Sequence, residues 1–200
     1  MSMKIRTLMG SVGVAAALAS CGLSADGRLA LFVPSVTTEY RLQGTTDRYV
    51  GCDNLDGVSA RTQVRVNFSS SGFVKTAKVR LVGNTSTAQD NAFEANFTRD
   101  TLIATNENRD YTLYFDADAE TGQFLPTSKG LSSQAIVVNP ARRTIKVVSV
   151  TGNPVGGASG GFKANLSGTS DQDSFAQAPL SATTPVYTNC TTVLDTGVTL

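Results

Sequence analysis

The sequence predicts an all-β protein built as an antiparallel β-sandwich, and three observations predict it. Apolar and polar residues alternate strictly over a series of short runs, which is the period of strands with one buried face. Clusters of Gly, Asn, Pro and Ser separate the runs, where chain reversals need them. No segment sustains a helical period for three turns.

In chain order, residues 30–33, 36–42 and 48–52 read as flanking strands. Val64, Val66 and Phe68 then face one way, with Arg65 and Asn67 facing the other. Ala77, Val79 and Leu81 alternate with Lys78 and Arg80, and Phe93, Ala95 and Phe97 bracket Glu94 and Asn96. Tyr111, Leu113 and Phe115 alternate with Thr112 and Tyr114. Ile136 and Val138 give a short strand, and residues 145–150 a further one. Phe162, Ala164 and Leu166 complete the set, with Lys163 and Asn165 outside. Residues 186–194 form a last flanking strand.

Strands with one apolar face each are what two packed antiparallel sheets require. Residues 60–167 therefore read as the core of a sandwich that resembles immunoglobulin-like or fibronectin-like architecture. The likeness is architectural, since a chain without Trp cannot carry the Cys…Trp…Cys signature of true immunoglobulin domains. Residues 117–133 and 168–185 read as long irregular loops. Residues 30–200 are expected to form a single domain.

The N-terminus carries a different signal. Lys4 and Arg6 precede an apolar run from Leu8 to Leu18, too short for the roughly 20 residues a spanning helix needs. It suits the core of an export signal. Leu18-Ala19-Ser20-Cys21 ends the run and resembles the lipobox of bacterial lipoproteins: an aliphatic residue, two small ones, then cysteine. The resemblance implies a signal peptide over residues 1–20, lipidation at Cys21 and a short tether through residue 29. It also implies a membrane partner reached through the lipid. Gly22 follows the cysteine where an inner-membrane retention signal would place aspartate, so the outer membrane is the expected destination in a cell that has one. The alternative is ordinary secretion with cleavage after Ala19.

Of the three cysteines, the lipobox accounts for one. Cys52 and Cys190 remain, and an oxidising compartment favours a disulfide between them. That bridge would bring the N- and C-terminal flanking strands side by side. Lys4 and Arg6 leave with the signal, so 17 basic and 16 acidic residues become a mature net charge of −1. Nothing in that balance recruits nucleic acid.

The chain has no histidine, which removes Ser-His-Asp and Cys-His catalysis and histidine-bound metals. Gly157-Ala158-Ser159-Gly160-Gly161 fits the spacing of a nucleophile elbow but lacks both the histidine and the following helix. It reads as a Gly-rich turn feeding the strand at Phe162. Asp116, Asp118 and Glu120 alternate on an acidic loop and are the candidate calcium ligands. Tyr114, on the face opposite Leu113 and Phe115, is the candidate ligand-binding aromatic. No other cofactor is expected.

Together these features predict a lipid-anchored, non-enzymatic cell-envelope subunit that acts on a protein partner. A glycan-binding module is the alternative, and an envelope hydrolase using paired carboxylates is the third reading.

Overall fold

The computed structural model of the protein describes residues 28–83, 94–99, 110–118, 141–150 and 158–200. The regular elements among them are all strands, arranged in two sheets that pack against each other as the alternation predicts.

The first sheet is centred on β7 (Arg61–Ser71). Along one side runs antiparallel β10 (Asp110–Asp118), in register from Asp110 opposite Ser69 to Asp118 opposite Arg61. Along the other side lie β1 (Ala30–Leu31) and β2 (Ser35–Thr38). Facing it, β12 (Ala158–Ser170) pairs with β8 (Val74–Gly83), which carries β9 (Glu94–Thr98). The opposite side of β12 takes β13 (Phe175–Gln177) and β14 (Thr184–Tyr187). The main core fills the space between: Val64, Val66 and Phe68 of β7, Leu113 and Phe115 of β10, Val79 and Leu81 of β8, Phe162 and Leu166 of β12. These are the residues that alternation assigns inward. Each contributes about 1.5–3 kcal/mol by leaving water.

Beyond β14 the second sheet continues through β4 (Tyr49–Cys52), β3 (Tyr40–Leu42), β11 (Thr144–Val150), β15 (Cys190–Thr199), β5 (Asn54–Leu55) and β6 (Val58–Ser59). This half has its own small core of Tyr40, Val50, Cys52, Val148, Tyr187 and Cys190. At its centre Cys52 and Cys190 form a disulfide with a Cα–Cα distance of 6.1 Å. The flanking strands do lie side by side: β4 pairs with β14, and β5 with β15. Both of those pairings are parallel, as is β3 with β11, while the other described pairings are antiparallel.

Several local expectations need correction. Residues 168–185 are not one irregular loop, because β12 runs to Ser170, β13 follows, and β14 begins at Thr184. The reversal is tight because the Ser170 Oγ accepts from the Gln172 and Ser174 N–H groups, which returns the chain along β12. Residues 36–42 are two strands in different sheets, broken at Glu39. Ala158 to Gly161 belong to β12, where Gly161 pairs with Pro185, so this is strand rather than turn. Residues 116–118 continue β10. The lipobox, Ile136 and Val138, and residues 119–133 lie outside the described residues.

Candidate functional site

A buried polar cluster links β7, β10 and the segments around Glu39 and Arg143. The chain leaves β2 for the second sheet at Glu39, so this residue lies inside the molecule with its side chain only 3% exposed. Its Oε1 accepts the Gln63 backbone N–H at 2.7 Å and an Arg143 guanidinium N–H at 2.8 Å. The other Arg143 terminal nitrogen lies 3.7 Å from Asp116 Oδ1. Gln63 Nε2 donates to that same oxygen at 3.1 Å, and Gln63 Oε1 accepts the Arg143 backbone N–H at 3.3 Å. One buried glutamine thus satisfies both ends of its amide between β10 and the start of β11. The Tyr40 hydroxyl donates to the Arg61 carbonyl at 2.6 Å.

Electrostatics follow from burial. Desolvation raises the Glu39 carboxyl above its ordinary value, although Arg143 and the Gln63 N–H pull it back part of the way. Burial and the neighbouring Glu39 charge likewise push the Tyr40 phenol well above its usual range. A carboxyl with a raised pKa inside a cleft would be a catalytic candidate. Glu39 has its side chain 3% exposed, and its Oε1 already accepts two hydrogen bonds. The arrangement joins two sheets, and its chemistry is that of a buried ion pair.

The sequence-predicted site residues are dispersed. Asp116 has its Oδ1 engaged by Gln63 and beside Arg143, so a cation already faces the group offered to calcium. Asp118 is the last residue of β10; its side chain and Glu120 lie outside the described residues. No set of three or more Asp, Glu or Cys side chains converges on a metal position among the described residues. Tyr114 is 6% exposed and packs in a cluster with Ile145 and Leu200, so its ring is not a platform. Both faces of β10 are covered, a fact that alternation within one strand cannot reveal. Cys21 lies outside the described residues, and Cys52 and Cys190 are the disulfide.

The chain matches no protein-family model, no curated protein and no solved structure. β15 meets β5 only at Cys190 opposite Leu55, and from Val193 onward no described strand pairs with the side of β15 opposite β11. That stretch carries exposed Val193, Leu194 and Val198, with exposed Val58 on β6. Elsewhere a groove of about 500 Å³ is lined by Pro34, Asp47, Arg48, Tyr49 and Pro185, among others. Neither the buried Glu39 nor the β15 edge is marked by a sequence motif. The one available signal was the acid in the apolar-leaning run Val36–Leu42.

Proposed function

We propose that the protein is a lipid-anchored, non-enzymatic subunit of the bacterial cell envelope that works by binding another envelope protein. The observation that carries this reading is the outer side of β15. An edge that no described strand pairs from Val193 onward, with Val193, Leu194 and Val198 exposed, is chemically suited to accept an extended segment of a partner. Until it arrives, the Asp195 and Thr196 side chains hold the Gly197 and Val198 N–H groups. Two features support the location. The lipobox-like Leu18-Ala19-Ser20-Cys21 supplies an anchor site, and the Cys52–Cys190 bridge fits a compartment that permits oxidation. With those two cysteines joined to each other, Cys21 is the one left for acyl chains. Two or more chains make anchoring stable, and anchoring keeps the body at high effective concentration beside its neighbours.

The test is cross-linking in intact cells, followed by mass spectrometry. Cross-links from β15 to one envelope protein, lost on Leu194→Lys, support the reading. A protein that cross-links to nothing, yet turns over an envelope polymer and loses that activity on changing one carboxylate, is an enzyme instead. For the anchor, the mature mass should begin at Cys21 with acyl chains, and Cys21→Ala should move the protein to the soluble fraction. The groove at Tyr49 and Asp47 favours glycan binding as the second reading, since it sets an aromatic ring beside a carboxylate.

A further inference from the structure

The end of the sandwich where the described chain begins carries exposed aromatic rings beside cations. Arg28 packs beside the β7–β8 turn: Gly72 takes a left-handed conformation, φ 85°, and a Cβ there would lie 3.1 Å from the Arg28 carbonyl oxygen. The next residue in that turn is Phe73, 62% exposed. The Leu29 N–H donates to Ser174 Oγ at 3.3 Å, and the residue after Ser174 is Phe175, 68% exposed. These are the two most exposed phenylalanines among the described residues, and both flank the point where the chain enters the body. Three cations share this end. The Arg99 guanidinium lies 5.7 Å from the Phe73 ring centre and pairs with Asp171, Lys75 pairs with Asp173 at 2.8 Å, and Arg28 is at the entry itself.

We infer that this end of the sandwich docks on the bilayer surface, with Phe73 and Phe175 inserted at the level of the headgroups. The inference rests on lipidation at Cys21, the anchor under Proposed function. From Cys21 to Arg28 the chain can span about 25 Å at full extension, so the entry point cannot travel far from the acyl chains. Two exposed aromatic rings held within that reach meet lipid whenever the body settles. Arg and Lys beside them suit the same depth, with stems along the apolar layer and charges among the headgroups. Asp171 and Asp173 offset the charges of Arg99 and Lys75, so the two rings carry the docking and Arg28 is the further cation at this end.

The chain has no tryptophan, so single replacements report their own surroundings. Full-length lipidated Phe73→Trp, Phe175→Trp and Val198→Trp would each be reconstituted in vesicles of phosphatidylethanolamine and phosphatidylglycerol, with and without brominated acyl chains. All three positions are exposed, and circular dichroism checks that each variant folds. Docking predicts blue-shifted emission and loss of intensity to brominated lipid for Phe73→Trp and Phe175→Trp, and neither change for Val198→Trp. Vesicle flotation and intact mass report the anchor separately. A protein that floats with its acyl chains but shows no quenching at either phenylalanine position overturns the docking alone. Equal quenching at all three positions overturns it as well, since no face is then selected. A protein that neither floats nor carries acyl chains overturns the anchor reading and the docking with it.

Discussion

Arg143→Met tests the network that joins the two cores. The substitution keeps an unbranched apolar stem and removes the cation 2.8 Å from Glu39 Oε1. Glu39 Oε1 keeps the Gln63 N–H, in a site where its side chain is 3% exposed. Removing one partner of a buried pair costs about 3–5 kcal/mol, chiefly because the other charge stays buried. Arg143 is itself 29% exposed, which argues for the lower end, about 3 kcal/mol. With a urea dependence of about 2 kcal/mol/M, the unfolding midpoint should fall by about 1.5 M near neutral pH. The sign with pH follows from Glu39, whose folded pKa already lies above its ordinary value and rises further without Arg143. A group raised on folding gives stability that is full below its unfolded pKa and is lost as pH rises through the folded value. The deficit of the variant should therefore be clearly smaller at about pH 5 than at about pH 8, as Glu39 takes up a proton. Adding Glu39→Gln should recover part of the loss at the higher pH. Equal deficits at both pH values, or no deficit at either, would refute the reasoning.

Three further outcomes follow from other parts of the structure. Replacing Cys52 and Cys190 by alanine opens a link across 138 positions and should cost roughly 2–5 kcal/mol, measured by urea unfolding without reductant. If both cysteines of the native protein alkylate freely, the bridge is absent. Gly168→Ala places a Cβ 2.7 Å from the Thr76 carbonyl oxygen, which must push β8 and β12 apart at about 1–3 kcal/mol. An unchanged thermal midpoint would mean that the strands do not approach that closely. Asp56, held below its ordinary pKa by the Thr192 N–H and hydroxyl, contributes stability above its unfolded pKa that is lost as pH falls through the folded one. Asp56→Asn should thus destabilise near neutral pH and make less difference in acid; a gap that widens in acid contradicts the assignment.

Residues 64–68 show how much of this fold was legible in the sequence. Val64, Val66 and Phe68 alternate with polar neighbours, and burial follows that alternation because one face of β7 meets the main core. Two residues earlier the rule fails, since Thr62 and Gln63 are both buried. Gln63 goes inside because Glu39, Asp116 and Arg143 together satisfy its amide and its backbone, and those partners come from three distant segments. Tyr114 fails in the same way: the residues that cover it, Ile145 and Leu200, follow much later in the chain. The break at Glu39 carried no glycine or proline, so nothing local announced that one apparent strand changes sheets there. The parallel pairings were equally hidden, because alternation gives a strand its faces but not its neighbours. The disulfide was legible because cysteine parity does not depend on geometry.

The interleaving of early and late strands also governs how the molecule can assemble. β3 lies between β4 and β11, β4 between β3 and β14, and β5 between β6 and β15, so the first strands of the second sheet depend on the last segments of the chain. Such non-local contacts must close long loops before they return any stabilisation, which slows folding. Residues 40–55 emerge early from any process that delivers the chain N-terminus first, yet β14 and β15 follow only after β12 and β13. Until then Tyr40, Val50 and the Cys52 thiol have no core to enter, and these strand edges are open to mispairing. A nascent or exported chain of this topology is therefore vulnerable until β14 and β15 have been delivered. A truncation that removes β15 should behave as an unfinished chain, with Cys52 reactive and the small core unformed, even though most of the larger core is present.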